Sequence, residues 1–141
     1  MTPQRVTLIT LGVDDLDRSA RFYADMGWAS AKRSEGIVFY QLNGLVLGLF
    51  GRAALADDQG RPEAELGTGA ITLAQNFFTN EEVDAAYALA MKAGATPLKA
   101  PEKVFWGGYS GYYADPDGHV WEVAMNPFSP PNEDGSFTIS D

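Results

Sequence analysis

The sequence predicts an α+β fold made of two tandem βαβββ modules. Two observations carry this prediction. Segments typical of a strand, a helix and three further strands follow one another, and the same order returns after a stretch rich in Gly, Asp and Pro at 52–68. In addition, residues at the predicted helix ends and turns recur at fixed separations. A chain of 141 residues is long enough for one domain with its own core.

The first module is predicted at about 4–51, followed by a linker at 52–68. Its helix is capped by Asp14 or Asp15, whose carboxylate can accept from a free N–H group, and it ends at Gly27. Its four strands are predicted at 6–13, 28–34, 37–42 and 45–50, the last two joined by the turn Asn43-Gly44.

The second module is predicted at about 69–126, and the tail at 127–141 is expected to be irregular because it is rich in Pro and Gly. Its helix is predicted at 81–93, ending at Gly94. Its four strands are predicted at 70–78, 96–99, 105–114 and 119–125.

The two modules are related by internal offsets. An offset of 67 residues links Leu16 with Val83, Asp17 with Asp84, and Gly27 with Gly94. An offset of 74 links Gly44 with Gly118 and Phe39 with Tyr113. The change of offset predicts seven additional residues in the second module, at 99–108.

Composition limits the classes of partner. A formal net charge of −9 argues against binding to nucleic acid or to an anionic membrane surface. The absence of cysteine excludes disulfides and thiolate chemistry. No signal peptide and no apolar run of about 20 residues is seen, so we expect a cytoplasmic protein.

The segment 112–124 is the most informative part of the chain. It predicts a hairpin whose turn is Asp-Pro-Asp-Gly at 115–118, with proline and glycine at positions where a turn favours them. On the return strand, Glu122 lies between Trp121 and Val123 and therefore points to the opposite face. A single carboxylate in an apolar strand is costly unless it is solvated, paired or bound to a ligand.

This hairpin, together with the opening segment 11–23, resembles the vicinal-oxygen-chelate superfamily, which includes glyoxalase I, extradiol dioxygenases and bleomycin-resistance proteins. The resemblance implies that the two modules form a half-open, eight-stranded barrel whose concave face holds a ligand. It also implies homodimers, and a glutamate at the position of Glu122 that is commonly a metal ligand.

The resemblance places the family's four metal positions at Leu8, Gly48, Gln75 and Glu122. The offsets agree, because Gln75 follows Leu8 by 67 residues and Glu122 follows Gly48 by 74. Leu8 and Gly48 offer no ligating side chain, and the neutral amide of Gln75 is a poor ligand for a transition metal. We therefore expect no metal and no cofactor.

Further residues are predicted to line a ligand pocket. Thr10 shares the face of Leu8, and Phe77 shares the face of Gln75, whereas Ile9, Leu11 and Val13 pack on the helix. Trp106 and Tyr113 are predicted to add aromatic surface to the pocket. The only histidine, His119, is expected at the surface or in the turn. The glycines at 107, 108 and 111 are expected to relieve crowding where the strand begins, since their spacing matches no phosphate-binding loop.

These observations favour a small-molecule-binding protein without an obligatory metal, acting as a homodimer. The alternative is a lyase, isomerase or dioxygenase of the same superfamily, with Glu122 as general base or metal ligand. A third possibility is an interaction module whose pocket no longer binds a ligand. Whether the protein is an enzyme therefore stays open at this point.

Overall fold

The computed structural model describes residues 1–139. It divides the chain into two compact units, residues 1–67 and a unit that begins at Thr68, and each unit is one βαβββ module. The predicted α+β class and the tandem modules are therefore confirmed. None of the helices among these residues is long and apolar enough to cross a membrane.

Module one contains a four-stranded sheet and two helices. Its elements are β1 (Leu8–Val13), α1 (Leu16–Asp25), β2 (Lys32–Ser34), β3 (Ile37–Gln41), β4 (Val46–Gly51) and α2 (Arg52–Asp58). The strand order is β1-β4-β3-β2, and only β1 and β4 run parallel. Asp15 caps α1 by accepting from the Arg18 N–H at 3.0 Å, and Gly27 follows the helix with a φ of 95°.

Helix α2 replaces the first part of the predicted linker. Its sequence, Arg-Ala-Ala-Leu-Ala-Asp-Asp, consists mainly of good helix formers, and Ala56 is buried. The Arg52 guanidinium donates to the carbonyl of Gly12 at 3.3 Å, which fastens the helix to β1. The sequence predicted an irregular linker because Gly and Pro residues flank this segment, but its alanine-rich part is helical.

The core of module one lies between the sheet and α1. The buried side chains come from alternate strand positions and from the inner face of the helix; they are Leu11, Val13, Phe22, Tyr23, Val38, Tyr40, Leu47 and Leu49. The predicted packing of Leu11 and Val13 on the helix side is thus confirmed. The other face carries Thr10 and Gly48, which are register partners on β1 and β4.

Module two repeats the arrangement. Its elements are β5 (Thr72–Asn76), α3 (Asn80–Ala93), β6 (Thr96–Lys103), β7 (Tyr109–Ala114) and β8 (Val120–Met125), in the sheet order β5-β8-β7-β6. Thr79 caps α3 by accepting from the Glu82 N–H at 3.1 Å, and Gly94 ends the helix in the left-handed conformation. Strand β7 begins later than predicted because residues 104–108 form a turn.

The two helices differ in length, and this changes the internal register. The N-caps Asp15 and Thr79 are 64 residues apart, whereas Gly27 and Gly94 are 67 apart. The additional three residues lie within α3, nearly one helical turn. The first strands therefore correspond at an offset of 64, not 67. Leu8, which pairs with Val46, corresponds to Thr72, which pairs with Val120.

The two hairpins between the last strands also differ. In module one the turn has two residues, Asn43 and Gly44, with the Leu42 N–H donating to the Leu45 carbonyl at 2.8 Å. In module two the turn has three residues between Asp115 and His119, whose backbone groups bond at 2.9 Å. Residues of β8 therefore follow their counterparts on β4 by 74 positions, whereas residues of β7 follow their counterparts on β3 by only 73.

Candidate functional site

The candidate site in module two lies on the face of its sheet that points away from α3. Glu122 is on this face with its register partners Ala74 on β5 and Tyr112 on β7. The neighbours Trp121 and Val123 are 4% and 0% exposed, which places them in the core. The predicted facing of Glu122, opposite Trp121 and Val123, is therefore confirmed.

Tyr112 and Glu122 form a polar pair across the two strands. Partial burial, the negative charge of Glu122 and a side-chain hydrogen bond with Glu122 together raise the pKa of the Tyr112 hydroxyl above its ordinary value. At neutral pH the Tyr112 hydroxyl is therefore protonated, and Tyr112 is the register partner of Glu122 on the neighbouring strand. A carboxylate has two acceptor oxygens, so Glu122 has hydrogen-bonding capacity to offer a ligand on this face.

Gln75 does not share the face of Glu122. It pairs with Val123, so it lies on the α3 side of the sheet, and the predicted position was wrong. The cause is the longer helix α3, which makes Gln75 the counterpart of Leu11 instead of Leu8. The same alternation takes Phe77, whose N–H donates to the Ala124 carbonyl at 2.8 Å, to the α3 side.

The two predicted pocket aromatics of module two also lie elsewhere. Tyr113 pairs with Trp121 and is 2% exposed, and burial raises the pKa of its hydroxyl. It is a core residue, and the three-residue turn at 116–118 explains why Tyr112 takes the position that was expected for Tyr113.

Trp106 lies in the turn at 104–108, where its ring covers Gly108 so closely that a Cβ on Gly108 would lie 2.0 Å from the ring. The expectation that these glycines relieve crowding is confirmed.

In module one, the corresponding face carries Thr10, Phe39 and Gly48, which the strand register brings together. A Cβ built on Gly48 would lie 3.5 Å from the Phe39 ring and 3.6 Å from the Thr10 hydroxyl oxygen. Glycine at this position therefore leaves the ring and the hydroxyl uncovered. Leu8, at the start of the same strand, is 44% exposed.

His119 lies in the hairpin turn, as predicted, but it is buried and not at the surface. The backbone N–H groups of Asp117 and His119 both donate to one carboxylate oxygen of Asp115 at 2.9 Å. Asp115 is itself only 2% exposed, so this carboxylate organises the turn from inside. We assign His119 a structural position on this basis.

The residues at the family's metal positions do not fit a transition-metal site. Leu8 and Gly48 have no donor atom in their side chains, and the corrected register replaces Gln75 with Thr72, which offers only a hydroxyl. Within residues 1–139, no three His, Cys, Asp or Glu residues are grouped closely enough to hold a metal ion. Divalent transition metals prefer three or more imidazole, carboxylate or thiolate ligands.

The sequence predicted Tyr113, and not its neighbour Tyr112, as the pocket tyrosine. The turn type contained the information needed to choose between the two tyrosines. Asp-Pro-Asp-Gly favours a turn that ends in a left-handed glycine, and Gly118 has a φ of 90°. Counting back from Asp115 and His119 as the closing pair places Tyr112, not Tyr113, opposite Glu122.

Comparison with known proteins places the chain in a family. The sequence model of the Glyoxalase/Bleomycin resistance protein/Dioxygenase superfamily matches residues 5–123. An uncharacterized protein of Mycobacterium bovis is 44% identical over 47 residues; this match spans 33% of the present chain and only 31% of the relative.

Solved structures extend the comparison over nearly the whole chain. The crystal structure of a glyoxalase-related enzyme from Fulvimarina pelagi is 40% identical, covers 99% of this chain and 100% of that one, and has a TM-score of 0.91. Lactoylglutathione lyase from Agrobacterium tumefaciens is 25% identical over 89% of this chain and 96% of its own, with a TM-score of 0.66. The chain therefore belongs to the Glyoxalase/Bleomycin resistance protein/Dioxygenase superfamily.

Proposed function

We propose that this protein binds a small molecule without an obligatory metal, and that the Tyr112–Glu122 pair is the polar anchor for that ligand. The observation that carries the proposal is the placement of Glu122 opposite Tyr112, on the sheet face away from the core. The residues at the other metal positions of the family support it, since Leu8 and Gly48 supply no ligand atoms.

The chemistry of the anchor indicates what it binds. An ionised carboxylate is an acceptor only, so it selects ligand groups that donate, such as a hydroxyl, an amide N–H or an ammonium. Hydrogen bonds to a charged acceptor are about twice as strong as neutral ones, so a donor group on the ligand is strongly favoured at this position. The net charge of −9 favours a neutral or cationic ligand over an anionic one at this site.

Module one carries apolar surface on the corresponding face of its own sheet. Phe39 exposes its ring where Gly48 carries no side chain, and the Thr10 hydroxyl lies beside it. Aromatic rings of this kind pack against planar or aliphatic ligand groups. We propose that Thr10, Phe39 and Gly48 form a ligand-contacting surface of module one in its own right.

Native mass spectrometry of the purified protein tests the proposal. The wild-type protein is expected to carry one additional mass per chain that is lost on collisional activation. Glu122→Gln and Tyr112→Phe are expected to lose it, whereas Glu65→Gln, an exposed acid in the segment after α2, keeps it. An additional mass retained in both site variants would contradict the assignment of the anchor, and one that consists of a metal ion would contradict metal independence.

A second candidate function is catalysis by the same residues. The pairing of Glu122 with Tyr112 across β7 and β8 favours it, because a carboxylate on a rigid strand is a suitable general base for a lyase or an isomerase. Incubation of the released ligand with protein in D₂O distinguishes the two functions. Deuterium incorporated at carbon by the wild type but not by Glu122→Gln indicates proton abstraction, whereas unchanged ligand indicates binding alone.

The proposal includes a homodimer in the cytoplasm. Each four-stranded sheet has two edge strands, and an uncovered edge is available to pair with another chain. The edge strand β6 carries Pro97 and Pro101, which discourage pairing there. Light scattering at tens of micromolar is expected to give twice the chain mass of 15.2 kDa, and a species at the chain mass would contradict the dimer.

A further inference from the structure

Module one contains a cleft on the opposite side of its sheet from Thr10 and Gly48. The cleft has a volume of about 440 Å³, within the range of about 300–1,000 Å³ found for small-molecule sites. It lies between α1 and the β2–β3 edge of the sheet. Its floor is formed by Val38 and Tyr40, which are 1% and 3% exposed.

The sequence of α1 explains why this space is open. Asp17, Ala20, Arg21 and Ala24 all line the cleft and follow the i, i+3, i+4, i+7 spacing of a single helix face. Two alanines on this face fill little of the space between the helix and the strands. The result is a cleft with small residues along its helical wall and a guanidinium from Arg21 at its side.

The opposite wall supplies a second guanidinium. Arg33 on β2 lines the cleft and forms a salt bridge with Asp17 on α1. The side chains of this pair are 48% and 77% exposed, so the salt bridge contributes little free energy and costs little to break. A carboxylate from another molecule can take the place of Asp17, because the guanidinium fork matches any carboxylate in the same way.

Aromatic surface completes the cleft. The Trp28 ring lies with its centroid 5.6 Å from that of Tyr40, in an edge-to-face arrangement, and both rings line the space. Burial raises the pKa of the Tyr40 hydroxyl, while the positive charge of Arg33 acts in the opposite direction. The hydroxyl therefore stays protonated at neutral pH and is a hydrogen-bond donor.

We infer that this cleft is a second ligand site, for a small organic carboxylate that carries a planar ring. Arg33 and Arg21 would bind the carboxylate, and Trp28 would pack against the ring. Two arginines in one cleft stand out in a chain with a net charge of −9, and they favour a ligand of opposite charge to the one expected at Glu122. The inference does not depend on the proposed function of Glu122.

The experiment uses the full chain and benzoate as the probe. Benzoate is titrated to roughly 20 mM, which detects dissociation constants in the millimolar range, while NMR follows the indole N–H of Trp28, assigned with Trp28→Phe. A saturable shift is expected with benzoate and none with the neutral isostere benzamide. Arg33→Met is expected to weaken benzoate binding about tenfold, because it removes a charge-assisted hydrogen bond.

Asp17→Asn gives the sharper test, because its effect has the opposite sign. Removing the competing carboxylate is expected to tighten benzoate binding about two- to fivefold, the range for loss of an exposed ion pair. Asp25→Asn, an exposed acid on α1 outside the cleft, controls for the general loss of negative charge. No shift of Trp28, an equal shift with benzamide, or equal effects of Asp17→Asn and Asp25→Asn would overturn the inference. Glu122→Gln is expected to leave benzoate binding unchanged.

Discussion

Two glycines in central strands are expected to respond in opposite directions to the same substitution. A Cβ at Gly111 would lie 2.8 Å from the Pro101 nitrogen and 2.9 Å from the Lys99 carbonyl oxygen, where β6 departs from regular register. Both are backbone atoms, so the strand itself must shift. Overpacking of this kind costs about 1–3 kcal/mol. Gly111→Ala is therefore expected to lower the melting temperature by roughly 3–12 °C, at about 3–4 °C per kcal/mol.

At Gly48 the same added methyl group meets only ordinary contacts, 3.5 Å from the Phe39 ring and 3.6 Å from Thr10. Alanine also reduces the freedom of the unfolded chain, which stabilises a compatible position by about 0.4–1 kcal/mol. Gly48→Ala is expected to raise the melting temperature by roughly 1–4 °C. Differential scanning calorimetry of both variants checks the pair. If Gly111→Ala melts at or above the wild-type temperature, or Gly48→Ala loses as much as Gly111→Ala, the strand geometry described above is wrong.

Two further predictions concern module two. Glu122→Gln removes the negative charge beside Tyr112, so the pKa of Tyr112 is expected to fall. The pKa of Tyr113 is raised mainly by burial and is expected to stay unchanged. Titration of ¹³Cζ-labelled tyrosine by NMR checks both, and an unchanged pKa of Tyr112 would refute its pairing with Glu122. Thr72→His with Ala74→His adds two imidazoles on the face of Glu122, which give three ligands together with its carboxylate, whereas Leu73→His with Gln75→His adds two on the α3 side. Calorimetry is expected to detect Ni²⁺ binding to the first double variant only, and stronger binding to the second would restore the register predicted from the sequence.

Much of the fold was predictable because local signals agreed with the tertiary structure. The caps Asp15 and Gly94, the turn Asn43-Gly44 and the alternation along β1 and β8 lie where the residue types placed them. Each of these signals is local, since a capping side chain or a left-handed glycine acts within a few residues. Their order then indicated the two modules.

The wrong positions of site residues arose because one internal offset was applied on both sides of the helices α1 and α3, which differ in length. The offset of 67 holds at the ends of the two helices but not at their starts, so Gln75 was assigned to the wrong face of β5. Strand alternation has a period of two, and a shift by an odd number of residues reverses every side chain. The one-residue difference between the hairpin turns misplaced Tyr113 in the same manner.

Helix α2 was missed for a different reason. Its seven residues carry no capping side chain, and the segment is bounded by Gly51 and Gly60. Its stability depends on the burial of Ala56 and on the contact of Arg52 with Gly12, which are tertiary interactions. The cleft beside α1 was not predicted either, because it follows from the placement of Arg33 opposite that helix.

The central claim is that the protein binds its ligand without an obligatory metal, and thermal denaturation with divalent metals tests it most directly. A ligand that binds only the native state at 100 times its dissociation constant stabilises by about 2.7 kcal/mol, which corresponds to roughly 10 °C for a chain of this size. The account predicts a shift near zero with Zn²⁺, Ni²⁺, Mn²⁺ or Fe²⁺, and no change when EDTA is added to the protein as purified. A stabilisation of about 10 °C that disappears in Glu122→Gln would contradict it.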